Sequence, residues 1–374
     1  MSTQATDSFG LSLKQLGKKG HSGHSVRCMQ GLPSSQVEAD TSRMAIGFYA
    51  LGSLDILGTV NTSTTDVDRQ SWIDWIWEQQ SSGVYGTGFK GSPYMIGEQD
   101  VKPLQLAADY SEFDTPSLIM TYTALLNLAI LRDDFTRLER PGLIKFIKAC
   151  QREDGSFGAL PSGGEADLRP LYCAFAISSM INDWSGVDID KAIAYIRTCE
   201  SYEGGYGQTP YGEALGGTTY CALASLALAS KSPSVTEHIS AQHRATTIRW
   251  LSSIQQTEGG FSGRTNKIAD TCYCFWCGAS LELLGAPDVA NEAALASFLE
   301  KCQFQWGGIC KAPETQPDPY HTYMGLATLS IYNITKGNAG VDPSWNLPSL
   351  HVSWNVTDET AEWIRKHLSS KAGQ

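Results

Sequence analysis

A short glycine motif returns along this chain at a nearly constant interval, and that period constrains the fold more than any other feature. The copies are Glu153-Asp-Gly-Ser-Phe157, Glu203-Gly-Gly-Tyr206, Glu258-Gly-Gly-Phe261 and Trp306-Gly-Gly-Ile309. Their glycines at 155, 204, 259 and 307 stand 49, 55 and 48 residues apart, and Ser82-Gly-Val-Tyr-Gly86 is a weaker, earlier copy. Such a period marks an array of small supersecondary units. After each turn comes a small-and-apolar stretch at helical spacing, at residues 118–131, 171–181, 218–229, 270–284 and 321–334. Between these lie segments that are apolar on one face and charged on the other, at 142–150, 189–199, 244–255 and 292–302.

Two helices per unit, one almost wholly apolar and one amphipathic, predict concentric rings. The apolar helices form an inner wall and the amphipathic ones face solvent. Units of this kind cannot bury their apolar faces alone, so they stack, and closing the stack removes its exposed ends. Glycine at the helix junctions supplies left-handed backbone. Strand patterns are sparse. The expected fold is all-α, an α/α barrel, with residues 26–374 as a single catalytic domain. Residues 1–25 are polar, lack an apolar core of the secretory kind, and read as a flexible tail. Residues 358–368 begin with Asp358 and Glu359 and end with Arg365, Lys366 and His367, a charge order that suits the helix dipole of an outer helix.

Composition removes several classes. With 374 residues, 42% of them hydrophobic, the chain can bury a sizeable core. A net charge of −11 disfavours a nucleic-acid partner, which needs a basic face. No apolar run reaches the length of a transmembrane segment. Ten cysteines are scattered among apolar residues without disulfide-scaffold spacing, which points to reduced thiols and a cytoplasmic protein.

One apolar stretch begins Asp270-Thr-Cys-Tyr-Cys-Phe-Trp-Cys277 and the next begins Asp318-Pro-Tyr-His321. Neighbouring inner helices bring their N-terminal ends together, so Asp270, Cys272 and His321 can converge as carboxylate, thiolate and imidazole. Three ligands with an open fourth position is the arrangement of catalytic zinc. The same residues also read as core cysteines and a capping aspartate, and Cys274 and Cys277 read as packing. Upstream, Gly263-Arg-Thr-Asn-Lys267 places two cations in the loop before that stretch, and Lys311 occupies the corresponding loop of the following unit. With Tyr273 these form either a basic rim suited to a diphosphate or ordinary solvated loop charges. Asp133-Asp134 has the look of a magnesium motif but reads as the start of a surface loop. The Asp-x-Asp-Asp acid motif of protonating terpene cyclases is absent from the sequence, as is His-Glu-x-x-His.

At these residues the chain resembles the β subunits of protein prenyltransferases, and among them the type I geranylgeranyltransferase β subunit. The likeness runs from about residue 40 to about residue 335. It includes Thr41-Ser-Arg43, Gly88-Phe-Lys-Gly-Ser92, Met120-Thr-Tyr-Thr123, Trp184-Ser-Gly-Val-Asp188, Gly216-Gly-Thr-Thr-Tyr-Cys221, Asp270-Thr-Cys-Tyr273 and Tyr320-His-Thr-Tyr323. The resemblance implies a zinc ion held by Asp270, Cys272 and His321. It implies an isoprenoid diphosphate held by Arg264, Lys267, Tyr273 and Lys311, and a place for Arg169 near the C-terminal end of a peptide substrate. Ala45 and Tyr49 are implied for the isoprenoid pocket. Tyr273 also joins Asp270, Cys272 and His321 among the implied catalytic residues.

The family works as a heterodimer with a helical-repeat α subunit that adds a lysine at the diphosphate. It transfers a prenyl group to the cysteine of a C-terminal CaaX motif, on proteins such as Rho-type small GTPases. The metal lowers the pKa of the substrate thiol, and the cations stabilise charge on the leaving diphosphate.

Two positions choose among subfamilies. Farnesyltransferases carry a Trp where this chain has Ala45, so Ala45 implies room for geranylgeranyl. They also carry a magnesium-binding aspartate where this chain has Lys311, so magnesium is expected to be dispensable. The departure is Leu215, where the family has a histidine that contacts the diphosphate. Two alternatives follow: a farnesyltransferase-like subunit, and a barrel that keeps its partner but has lost turnover with Leu215.

Overall fold

The computed structural model describes residues 13–31, 34–93, 115–161, 163–230, 235–336 and 340–371. In chain order come α1 (Lys18–Gln30), α2 (Arg43–Ile56), α3 (Val60–Ser63), α4 (Asp66–Glu78) and the hairpin β1 (Gln80–Gly83) with β2 (Gly86–Phe89). Next are α5 (Leu118–Ile130), α6 (Arg140–Cys150) and the hairpin β3 (Phe157–Leu160) with β4 (Gly163–Asp167). Then follow α7 (Leu168–Ile181), α8 (Ile189–Thr198), α9 (Gly216–Ala229), α10 (Ala241–Ser253), α11 (Thr271–Leu283), α12 (Glu292–Cys302) and α13 (Pro319–Ile331). The hairpin β5 (Leu350–His351) with β6 (Val356–Thr357) and helix α14 (Asp358–His367) end the order.

The two kinds of helix separate as their sequences require. Helix α5 is Leu118-Ile-Met-Thr-Tyr-Thr-Ala-Leu-Leu-Asn-Leu-Ala-Ile130, and every residue except Ile119 and Met120 is buried. Helix α8 buries only Ala192, Ile193, Tyr195 and Ile196, one face of two turns, and starts where the Asp188 side chain accepts from the Lys191 amide at 3.1 Å. A helix buried on all sides must have neighbours on all sides. Among the described residues α2, α5, α7, α9, α11 and α13 supply them to one another in a closed circuit, with α13 packed back against α2. Each fully buried Leu, Ile or Phe in that wall contributes about 1.5–3 kcal/mol from removal of apolar surface. The fold is the α/α barrel that the repeat predicted.

The glycine turns couple the rings. In each unit the glycine has positive φ, for example +118° at Gly204 and +100° at Gly307, and its Cα faces a backbone carbonyl of the next outer helix. Gly155 meets Lys191 of α8, Gly204 meets Thr246 of α10, Gly259 meets Ala294 of α12, and Gly307 meets Gly20 of α1. The last of these places α1 in the outer ring and closes it.

That contact corrects the expectation of a flexible tail over residues 1–25. From Lys18 onward the segment is helical, and His21, Ser22 and Ser25 are buried. The Gly308 amide donates to His21 Nδ1 at 2.9 Å, the Gln303 side chain lies 3.0 Å from His21 Nε2, and Ser22 Oγ lies 2.9 Å from Thr59 Oγ1. This helix docks through polar groups and glycines rather than an apolar stripe, so hydropathy does not find it. Residues 1–12 of the expected tail lie outside the described residues.

Candidate metal centre

The Asp270, Cys272 and His321 side chains meet at the N-terminal ends of α11 and α13, with one ligand atom from each within 4.8 Å of the others. Among the described residues no other three His, Cys, Asp or Glu side chains converge in this way. Local sequence dictates the positions. Asp270 caps α11, its Oδ1 accepting from the Cys272 amide at 2.8 Å. Asp318 caps α13 by accepting from the His321 amide at 2.8 Å, and its other oxygen lies 2.6 Å from His321 Nδ1. Cap and ligand are therefore combined at α11, while at α13 the cap orients the ligand: with Nδ1 held by Asp318, Nε2 faces Asp270 Oδ1 at 3.3 Å.

Electrostatics follow from this crowding. Burial alone would lower the His321 imidazole, but hydrogen bonds with Asp270 and Asp318 outweigh it and push it up to about 11. Burial pushes the Cys272 thiol up to about 11 despite the opposing hydrogen bond with His321. Burial opposes ionisation of Asp270, yet His321 and the Cys272 amide hold its carboxyl below the usual range. An oxygen, a sulfur and a nitrogen donor in a partly buried pocket form a set that fits a zinc ion with an open position.

Beside the triad, Arg264, Lys267 and Lys311 of the implied diphosphate residues lie on loops at the same end of the barrel, and Tyr273 lies in the first turn of α11. Lys311 Nζ is 3.6 Å from Asp270 Oδ2. Tyr273 is half-buried, its ring packed so closely on Gly263 that no side chain fits there. Arg264 pairs with Glu213 at 2.7 Å, and Lys267 is exposed on the loop. Arg169 is held by Asp167 at 2.6 Å and Glu165 at 3.2 Å. The carboxylates Glu213, Asp167 and Asp318 were not singled out from sequence, although Asp167, Asp270 and Asp318 share the cap position before an inner helix.

Inside the ring, the triad end opens on a cavity of about 410 Å³. Ala45, Tyr49, Arg169, Leu215 and Tyr273 all line it. The Tyr49 ring stands edge-on to Tyr320, with centroids 5.0 Å apart. Trp276, whose indole N–H donates to the Tyr320 hydroxyl at 3.0 Å, completes an aromatic wall. Cys274 and Cys277 are fully buried and stay out of the triad, their thiols donating to the backbone carbonyls of Asp270 at 3.6 Å and Ser262 at 3.9 Å. All ten cysteines are free thiols. Asp133 accepts from the Phe135 amide and the Trp77 indole, so the Asp133-Asp134 pair builds a loop. No helix of the described residues is long and apolar enough to cross a membrane.

Residues 16–356 match the prenyltransferase α–α toroid domain, and the chain belongs to that family of helical-barrel prenyltransferases. Within the family, it is 36% identical over 321 residues to the geranylgeranyl transferase type-1 subunit β of Dictyostelium discoideum, covering 82% of this chain and 88% of that one. It is 33% identical to the corresponding Arabidopsis thaliana subunit, covering 85% of each chain. The solved structure of the Candida albicans protein geranylgeranyltransferase-I complexed with GGPP superposes with a TM-score of 0.80 at 26% identity, over 95% of this chain and all of that one. The likeness to type I β subunits thus holds in sequence and in fold.

Proposed function

We propose that this chain is the catalytic β subunit of a protein geranylgeranyltransferase of type I. Together with an α subunit it would transfer the geranylgeranyl group from its diphosphate to the cysteine of a C-terminal CaaX motif, on Rho-type small GTPases and similar proteins. The observation that carries this reading is the triad Asp270–Cys272–His321 at the mouth of an aromatic-walled cavity, with Lys311, Tyr273 and Arg264 on the same rim.

A zinc ion held by Asp270, Cys272 and His321 would supply a Lewis acid that favours the thiolate form of the substrate cysteine. The remaining work falls to the chain's own groups. The cavity wall holds the isoprenoid out of water, at about 0.8 kcal/mol for each CH₂ buried. Lys311, Arg264, Lys267 and the Tyr273 hydroxyl face the diphosphate and stabilise its charge as it leaves. The substrate sulfur forms a bond to the first prenyl carbon as the carbon–oxygen bond breaks. The diphosphate departs with that electron pair, and the thiol proton goes to solvent. With Lys311 supplying fixed positive charge at the leaving group, magnesium is not required.

Cys272→Ala and His321→Ala test this in the α–β complex. Each should lose most bound zinc and all measurable transfer to a cysteine peptide, while the barrel stays folded. Full zinc occupancy in both variants, by elemental analysis, overturns the ligand assignment. Single-turnover transfer by the unaltered complex separates the catalytic reading from that of a partner-binding barrel without turnover.

A further inference from the structure

Helix α2 stands between two cavities. Ala45, Phe48 and Tyr49 line the central one. Met44, Gly47 and Leu51, which share another face of the helix at i, i+3 and i+7, line a second cavity of about 590 Å³. Trp72 and Trp75 of α4 stand across from them, both partly buried and packed on the core. Arg43 and Ser71 are exposed and mark where this cavity meets solvent. None of its lining takes part in the proposed transfer.

Asn127 of α5 closes the lining and is its anomaly. It lies among Leu125, Leu126, Leu128 and Ala129 and is 2% exposed. Its Nδ2 donates to the Met44 carbonyl at 3.1 Å, which fixes the orientation of the amide and leaves Oδ1 buried without a partner. The other polar side chains of α5 are satisfied. Thr121 Oγ1 accepts from the Phe89 amide, Thr123 donates to the Ile119 carbonyl, and Tyr122 donates to the Trp354 carbonyl. A buried carbonyl oxygen that meets no donor bears the full cost of its lost hydration, so an incoming O–H or N–H is favoured there. The groups at the mouth ask for nothing: Arg43 pairs with Asp40, and the Ser71 hydroxyl donates to the Asp68 carbonyl at 2.8 Å. The cavity therefore calls for one donor and no charge.

We propose that this cavity is a second ligand site, for a neutral, mostly apolar small molecule with a single O–H or N–H donor, an alkylphenol being the simplest example. The donor meets Asn127 Oδ1, and the apolar body packs between Met44 and Leu51 on one side and the two indoles on the other. Small-molecule sites have this character: about 300–1,000 Å³, mostly apolar walls and a few placed polar groups. A water molecule also supplies a donor, but it covers none of the apolar wall. Gly47 provides the room, since a Cβ added there would meet only Asn127 Nδ2, at 3.8 Å.

The test uses the complete α–β complex, 4-propylphenol, and its methyl ether 4-propylanisole, which accepts a hydrogen bond but cannot donate one. Saturating geranylgeranyl diphosphate keeps both probes out of the central cavity. Saturation-transfer NMR titration should give one site for the phenol, with Kd on the order of 0.1 mM for a ligand of this size. The ether should bind about tenfold more weakly, because it leaves Asn127 Oδ1 without a donor. Gly47→Leu fills the cavity from α2, and Ser71→Trp narrows its mouth from an exposed position. Each should weaken the phenol at least tenfold in a complex that still melts cooperatively. These variants locate the ligand whether or not the complex transfers geranylgeranyl. Equal binding of phenol and ether means that Asn127 Oδ1 is met by water only and overturns the proposal. Absence of saturable phenol binding overturns it too, as does undiminished binding in Gly47→Leu, with Ser71→Trp deciding if that variant does not fold.

Discussion

Gly307 and Gly20 touch backbone to backbone, 287 residues apart in sequence, and any Cβ at Gly307 would collide with the Gly20 carbonyl. This contact joins the last glycine turn to the first helix and so closes the outer ring. Gly307→Ala must accept both the collision and a φ of +100°, so it should cost at least about 1–3 kcal/mol. Gly340→Ala, where an added Cβ meets nothing within 4 Å, is the control. Denaturant melts that give equal stabilities for the two variants would show that α1 is not needed to close the barrel.

The β5–β6 hairpin carries a titratable group. His351 stacks on Trp354 with centroids 4.4 Å apart, and Arg365 lies over the same indole at 5.3 Å. Burial, reinforced by Arg365 and partly offset by Asp358, pushes the imidazole down to about 4. The folded pKa lies below the unfolded value near 6.5, so the unfolded chain binds the extra proton first. Stability from this group is complete above pH 6.5 and lost as pH falls towards 4, by on the order of 3 kcal/mol. His351→Phe keeps the stack and should flatten the stability profile across that window. A wild-type and variant pair with parallel profiles between pH 6.5 and 4 would assign the acid sensitivity elsewhere.

Ala45 lines the cavity from α2, one turn above Tyr49 on the same helix face. Ala45→Trp should shift preference from geranylgeranyl to farnesyl diphosphate, because an indole there takes the space of the last isoprene. Forcing the longer chain past it would cost about 1–3 kcal/mol, the usual penalty of overpacking. The measurement is the ratio of kcat/KM for the two diphosphates. An unchanged ratio would place the end of the prenyl chain away from α2.

Much of this was legible in the sequence, and the rest was not, for physical reasons. Inner helices announce themselves because a helix buried all round must be apolar all round, as in α5 and α9. Asp270 stood out because a capping carboxylate precedes the apolar run that it starts. Helix α1 was misread because its buried face is His21, Ser22 and Ser25, which look like surface until Gln303, Thr59 and Gly308 are placed beside them. Four buried inner-wall tyrosines, Tyr122, Tyr172, Tyr220 and Tyr323, did leave a trace, since they recur with the same period as the glycines. Their partners were hidden, because the carbonyls that accept from the four hydroxyls belong to Val352, Ser353, Trp354 and Asn355, a stretch with no periodicity of its own. Pairing of Arg264 with Glu213 and of Lys311 with Asp270 joins separate repeats and leaves no local pattern.

Leu215 caps α9 without a side-chain hydrogen bond, its amide donating to the Tyr206 carbonyl at 3.1 Å, and it lines the cavity with Tyr273. Two residues earlier Glu213 holds Arg264 at 2.7 Å, so this short stretch borders the proposed diphosphate on two sides. A leucine donates no hydrogen bond, which leaves the leaving group one donor short. Hydrogen bonds to charged groups are worth about 1.5–3 kcal/mol, or roughly ten- to a hundred-and-fifty-fold in rate if expressed wholly in the transition state. Leu215→His should therefore raise kcat within that range while leaving KM for the peptide unchanged. On the proposed site, Arg264, Lys267 and Lys311 should keep the unaltered enzyme active, at a lower rate than the histidine variant. A Leu215→His complex that folds, binds α and shows no gain in kcat would mean that Leu215 serves only the apolar wall.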